Sequence, residues 1–139
     1  MKKDLVGYTT GVFDLFHIGH LNILKKAKSY CDRLIVGITT DALAEELKGK
    51  KPAVPFEERY EIVESIKYVD KVVPQEKIDE IGDWEKLKFD IIFKGDDWKG
   101  SEKWNNLEKE FETRQVEVQY FPYTQSTSST ILRKYLQNS

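Results

Sequence analysis

The chain's two histidines stand three residues apart in the segment Asp14-Leu15-Phe16-His17-Ile18-Gly19-His20. If His20 falls in the first turn of a helix, both imidazoles share one face of the helix start. Gly19 between them then lets a bulky ligand approach the backbone. Such a pair can cap the helix, hold zinc or iron together with Asp14, or donate hydrogen bonds to an anion. No glutamate follows at metalloprotease spacing and no cysteine is near, which argues against the metal. Four other features carry related chemistry. Lys48, Lys50 and Lys51 surround Gly49, and lysines in a loop that closes over a ligand act as movable charges for phosphate, the alternative being a solvated surface. Arg59 is a fork suited to phosphate or, failing that, to a surface ion pair with a neighbouring glutamate. Gly95-Asp96-Asp97-Trp98 offers two adjacent carboxylates in a turn, suited to Mg²⁺ or simply to the turn, with Trp98 either packing or lining a pocket. Thr124-Gln125-Ser126-Thr127-Ser128-Ser129-Thr130 leads into a helix carrying Ile131, Leu132, Tyr135 and Leu136. Hydroxyls, free N–H groups and the positive helix end make a phosphate site there, compatible with capping by Ser128 or Ser129.

The intervening sequence must position these groups. Leu5 to Tyr8 reads as a strand ending in a polar turn at Thr9-Thr10-Gly11, and Leu21, Leu24, Ala27, Lys28 and Cys31 recur at helical spacing. Leu34 to Ile38 is a continuous apolar run of the kind found in parallel strands covered on both faces. Leu47 to Pro55, with its prolines, glycine and lysines, predicts an irregular loop. A helix follows, striped by Phe56, Tyr60, Val63 and Ile66, with Glu57 and Glu58 in its first turn. Val69 to Val73, Ile91 to Phe93 and Val116 to Phe121 read as further strands, Glu102 to Glu112 and Ser129 to Leu136 as helices. The alternation predicts an α/β fold with a five-stranded parallel sheet and right-handed crossovers. Ligands of such sheets bind beyond the carboxyl ends of the strands, where the chemistry-bearing segments fall.

Composition narrows the partners. The 139 residues suit one domain spanning 1–139, and 40% hydrophobic with 12% aromatic residues argue against overall disorder. Lys and Arg number 22 against 24 Asp and Glu, a net charge of -2, without the basic excess of proteins that coat nucleic acid or acidic membranes. Cys31 is a lone cysteine, no apolar signal segment opens the chain, and nowhere do 18 apolar residues stand together. The expectation is a soluble cytoplasmic domain with no membrane and no nucleic-acid polymer as partner.

His17-Ile18-Gly19-His20 matches the His-x-Gly-His signature of the nucleotidyltransferase superfamily. The chain resembles its cytidylyltransferases along essentially its whole length, through Gly11-Val12-Phe13-Asp14, Thr39-Thr40-Asp41, the lysine loop, Glu58-Arg59, Tyr68-Val69-Asp70, Gly95-Asp96-Asp97-Trp98 and Ser128-Ser129-Thr130. Within that family it most resembles the glycerol-3-phosphate cytidylyltransferases. The resemblance implies a Rossmann-like three-layer nucleotidyltransferase fold and, with Mg²⁺, transfer of CMP from CTP to a small phosphorylated acceptor with release of pyrophosphate. The first acceptor it implies is glycerol 3-phosphate, giving CDP-glycerol for teichoic-acid or capsule synthesis. Alternatives are phosphoglutamine, phosphocholine or phosphoethanolamine as acceptor, ATP in place of CTP, or a phospho-receiver or nucleotide-sensing module without catalysis.

By the same resemblance His17, His20, Lys48 and Asp14 are catalytic, with Asp14 holding His17 or helping to carry Mg²⁺. Thr10, Gly11, Val12, Phe13, Gly19, Lys50, Gly95, Asp96, Asp97, Tyr123, Thr124, Ser128, Ser129 and Thr130 bind nucleotide. Arg59 and Trp98 bind the acceptor. Relatives are mostly homodimers, which makes Phe56 to Lys67 with Tyr68-Val69-Asp70 a candidate dimer face. The chain departs from the family where relatives carry Arg-Thr-Glu-Gly-Ile-Ser-Thr-Thr: Tyr123 replaces the arginine that clamps the triphosphate, so Arg133 or a loop lysine must replace it.

Overall fold

The computed structural model describes residues 4–122 and 129–137. Five strands, β1 (Val6–Gly11), β2 (Arg33–Thr39), β3 (Lys71–Gln75), β4 (Ile91–Gly95) and β5 (Glu117–Phe121), form one sheet in the order β3-β2-β1-β4-β5. All four pairings are parallel. The helices are α1 (Ile18–Lys28), α2 (Asp41–Lys48), α3 (Phe56–Glu64), α4 (Glu80–Leu87), α5 (Glu102–Glu112) and α6 (Ser129–Gln137).

Alternation along the strands divides the core in two. On one face Leu34, Val36, Ile38, Ile91 and Phe93 pack against Leu24 and Ala27 of α1 and Val63 of α3. On the other, Tyr8, Ile35 and Ile92 pack against Trp104 and Phe111 of α5, with Ile81, Trp84 and Leu87 of α4 alongside. The α/β class, the parallel sheet and the helix over Glu102–Glu112 are as the sequence predicts.

Several boundaries differ, each for a physical reason. β1 runs on through Thr9, Thr10 and Gly11, because the register with β2 continues to Gly11↔Ile38; hydrogen bonding extends the strand beyond its apolar residues. Leu47 and Lys48, the first two residues of the expected loop, instead end a helix that the apolar pattern hides. Thr40 caps α2 by accepting the Leu43 N–H, and Gly49 ends it at φ 79°, both signals present in the sequence. β3 lies two residues later than predicted and includes Pro74, tolerated because β3 is an edge strand. Asp70 sits outside the strand, its carboxylate accepting from the Leu34 N–H at 2.8 Å and the Lys28 ammonium at 2.6 Å. Beyond β3, α4 is capped by Asp79, which accepts from the Gly82 N–H.

Candidate active site

The connections through α1 and α3 cover one face of the sheet, those through α4 and α5 the other. The chain therefore changes sides between β1 and β4, and their carboxyl ends part there to leave a crevice. A cavity of about 220 Å³ occupies it. Thr9 to Asp14 of the β1 exit, Phe93 to Gly95 of β4, His20 and Ile23 of α1, and Lys48, Trp98, Phe121 and Arg133 line it.

The backbone leaving β1 is held in an uncommon shape. Phe13 and Leu15 adopt φ of 54° and 50°, left-handed conformations that cost a non-glycine residue about 1–2 kcal/mol each. Buried groups hold them there. Phe13 is packed in the α1-side core. Asp14, 2% exposed, accepts the Ala53 and Val54 N–H groups at 2.8 and 2.9 Å and an ion pair from Arg133. Burial opposes the Asp14 charge, but the Ala53 N–H, the Arg133 guanidinium and the Val54 N–H outweigh it and keep the carboxyl below its ordinary range. Asp14 thus ties the β1 exit to the lysine loop and to α6. Those partners fit a metal ligand poorly, since both carboxylate oxygens already accept N–H groups. Among the described residues no three His, Cys, Asp or Glu side chains converge on a metal position.

Arg59 corrects a second expectation. It is neither a surface residue nor a fork open to phosphate: its side chain is 0% exposed. Its Nε donates to the Val54 carbonyl at 2.8 Å, Nη1 to the Val12 and Thr39 carbonyls at 2.7 and 2.8 Å, and Nη2 to Asp41 at 2.6 Å. One guanidinium thereby joins the exits of β1 and β2, the start of α2 and the chain entering α3. The sequence shows a cation in the right region; only the packing shows it turned inward.

The two histidines cap α1 reciprocally. His17 Nδ1 accepts the Gly19 N–H at 3.0 Å, and His20 Nδ1 accepts the His17 N–H at 3.2 Å, with ring centroids 4.0 Å apart. A ring nitrogen that accepts carries no proton, so each neutral imidazole bears its hydrogen on Nε2. Burial lowers the pKa of His17. Burial, then the adjacent His17 and Lys48, push His20 down to about 4, against the pull of Asp14. At neutral pH both rings are uncharged donors. Capping and anion binding are compatible, because capping uses Nδ1 and leaves Nε2–H for a ligand.

Of the expected site residues, the cavity brings together Thr10, Gly11, Val12, Phe13, Asp14, His20, Lys48, Gly95 and Trp98. His17 packs against His20 without lining the cavity, and Gly19 contributes its N–H to the cap. Lys50, Asp96 and Asp97 are exposed and do not line the cavity. Asp96 to Trp98 form a single 3₁₀ turn that follows β4. Tyr123, Thr124 and Ser128 lie outside the described residues, and Ser129 and Thr130 open α6, their side chains likewise outside. The cavity also takes in Thr9, Ile23, Phe93, Lys94, Phe121 and Arg133. Lys94 is the notable omission from the expected set; its signal was a charged residue in the last strand position before the turn glycine.

The sequence matches the cytidylyltransferase-like family model over residues 8–135. It is 41% identical to the glycerol-3-phosphate cytidylyltransferase of Bacillus spizizenii over 135 residues, 96% of each chain. It is 38% identical to the enzyme of that name from Bacillus subtilis over 141 residues, again 96% of each. In structure it is similar to a lipopolysaccharide core biosynthesis protein from Thermoplasma volcanium, with a TM-score of 0.72, 25% identity and coverage of 90% of this chain and 100% of that one. With the His-x-Gly-His cap at the crevice of a parallel sheet and that likeness spanning nearly the whole chain, the protein belongs to the cytidylyltransferase-like family and is a nucleotidyltransferase.

Proposed function

We propose that this nucleotidyltransferase transfers CMP from CTP to glycerol 3-phosphate, forming CDP-glycerol and pyrophosphate. The observation that carries the reading is the reciprocal histidine cap, which engages both Nδ1 atoms, leaves both Nε2 atoms outside it and sets His20 at the cavity, in a chain similar over 96% of its length to glycerol-3-phosphate cytidylyltransferases. Those names favour CTP over ATP and glycerol 3-phosphate over the other acceptors.

A phosphate oxygen of the acceptor attacks the α-phosphorus in line. That P–O bond forms as the bond to the β-phosphate oxygen breaks, and the electron pair leaves on pyrophosphate. The attacking group is already an anion at neutral pH and needs no general base. Catalysis is then positioning and stabilisation of charge as it shifts to the leaving group. In this reading His17 and His20 donate from Nε2, Lys48 supplies a positive charge from the end of α2, Arg133 replaces the family arginine at Tyr123, and the start of α6 holds the outer phosphates. Mg²⁺, when bound, would supply positive charge to the triphosphate through phosphate oxygens and water, while Asp14 anchors the loop and Arg133 beside it.

The enzyme works as a single catalytic domain in the cytoplasm, as a homodimer, and supplies CDP-glycerol to teichoic-acid or capsule synthesis. Supporting the soluble part of that reading, no helix among the described residues is long and apolar enough to cross a membrane. The deciding experiment is pyrophosphate release with CTP or ATP against a panel of phosphorylated acceptors. Turnover with CTP and glycerol 3-phosphate is expected; preference for ATP or for another acceptor would overturn the assignment.

A further inference from the structure

At the carboxyl end of β4 the Lys94 side chain leaves the sheet on the α5 side. Its ammonium lies 5.0 Å from the ring centroid of Trp98 and 5.6 Å from that of Trp104. Among the described residues no carboxylate forms an ion pair with it. Glu80 acts on it from a distance and is itself paired with Lys103 at 3.1 Å. Aromatic faces therefore hold the cation in place while its N–H donors lack an acidic partner. Burial lowers its pKa and Lys103 adds to that, with Glu80 and Asp97 opposing. Withdrawing an ammonium from water without a counter-charge is unfavourable, and a ligand that brings an anion relieves it.

The layout of the cavity decides which anion. His20 enters the cavity from α1, on one face of the sheet, and Lys48 and Arg133 also line it; the proposed reaction places the triphosphate against these three. Lys94 lines the cavity from the other face, where it packs toward Trp104 of α5. In-line displacement sets the entering oxygen and the departing pyrophosphate on opposite sides of the α-phosphorus, so the acceptor's phosphate arrives from the Lys94 side. We infer that Lys94 binds the phosphomonoester group of the acceptor and sets the requirement for a phosphorylated substrate. The inference rests on the nucleotidyl transfer proposed above and adds the residue that selects its second substrate.

The test is Lys94→Met, which keeps the length and packing of the side chain between the two rings. Initial rates are measured with CTP and glycerol 3-phosphate varied independently. The acceptor KM should rise by about tenfold or more, the range for loss of a charged hydrogen bond, while the CTP KM stays within about twofold. Lys94→Arg, which keeps the charge, should recover most of the acceptor affinity, and it decides the matter if the methionine variant folds poorly. An equal rise in both KM values, or no change in either, would overturn the inference while leaving the activity itself intact. A wild-type enzyme that releases no pyrophosphate with CTP and any phosphorylated acceptor would overturn the proposed reaction and this inference with it.

Discussion

Arg59→Met should destabilise the protein severely, an effect that distinguishes a buried tie from a phosphate fork. Methionine fills much of the same volume, so the loss is one of hydrogen bonds. Three carbonyls, of Val12, Thr39 and Val54, lose their guanidinium donor, and Asp41 loses its ion pair while still accepting the Phe56 N–H at 3.2 Å. Breaking a buried ion pair by removing one partner costs about 3–5 kcal/mol, which for a chain of this size lowers Tm by roughly 10–20 °C. Because Val12 adjoins the left-handed Phe13, the β1 exit should also loosen and kcat should fall with stability. Thermal denaturation followed by circular dichroism, beside steady-state kinetics at a temperature where the variant is folded, gives both quantities. An unchanged Tm with a selectively raised acceptor KM, as expected of an exposed fork, would refute this account of Arg59.

Two further outcomes follow from the histidine cap and from Asp14. The folded protein holds His20 at a pKa of about 4, below the unfolded value of about 6.5. Between those limits the unfolded state binds the extra proton, so stability present above pH 6.5 should be lost as pH falls toward 4. Urea denaturation of the ligand-free protein across that window should show the decline and His20→Gln should flatten it; an identical slope in the variant would show that His20 is not buried neutral. Asp14→Asn places an amide where two N–H groups and Arg133 now donate, and should cost about 1–3 kcal/mol and lower kcat. The Mg²⁺ concentration for half-maximal rate should not move, and a large rise in it would restore Asp14 as a metal ligand.

Much of the site was legible because its chemistry depends on sequence-local geometry. A helix start brings His17 and His20 together whatever surrounds it, and the apolar runs of β1, β2 and β4 announce a parallel sheet whose carboxyl edge collects Lys48, Gly95 and Trp98. Local signals for α2 were also present in Thr40 and Gly49, but its short apolar face let the lysine-rich loop obscure them. The terminal helix was expected from Ser129, where α6 begins.

Other assignments depended on contacts between distant segments, which residue spacing does not encode. Arg59 follows two glutamates that suggest exposure, and Asp14 is a lone charge among Val12, Phe13, Leu15 and Phe16 whose partners its neighbours do not name. Folding brings Val12, Thr39 and Val54 around one, and Ala53, Val54 and Arg133 around the other, so a predicted phosphate fork is an internal tie and Asp14 is an anchor for the loop. Lys94 is the opposite case, a strand residue that folding makes a cavity cation, because Trp98 and Trp104 hold it without neutralising it. Residue types and their spacing specify the class of fold and the residues able to meet a nucleotide. The tertiary structure decided which charges face the ligand and which are spent holding the frame, since that depends on where distant backbone carbonyls and N–H groups meet each side chain.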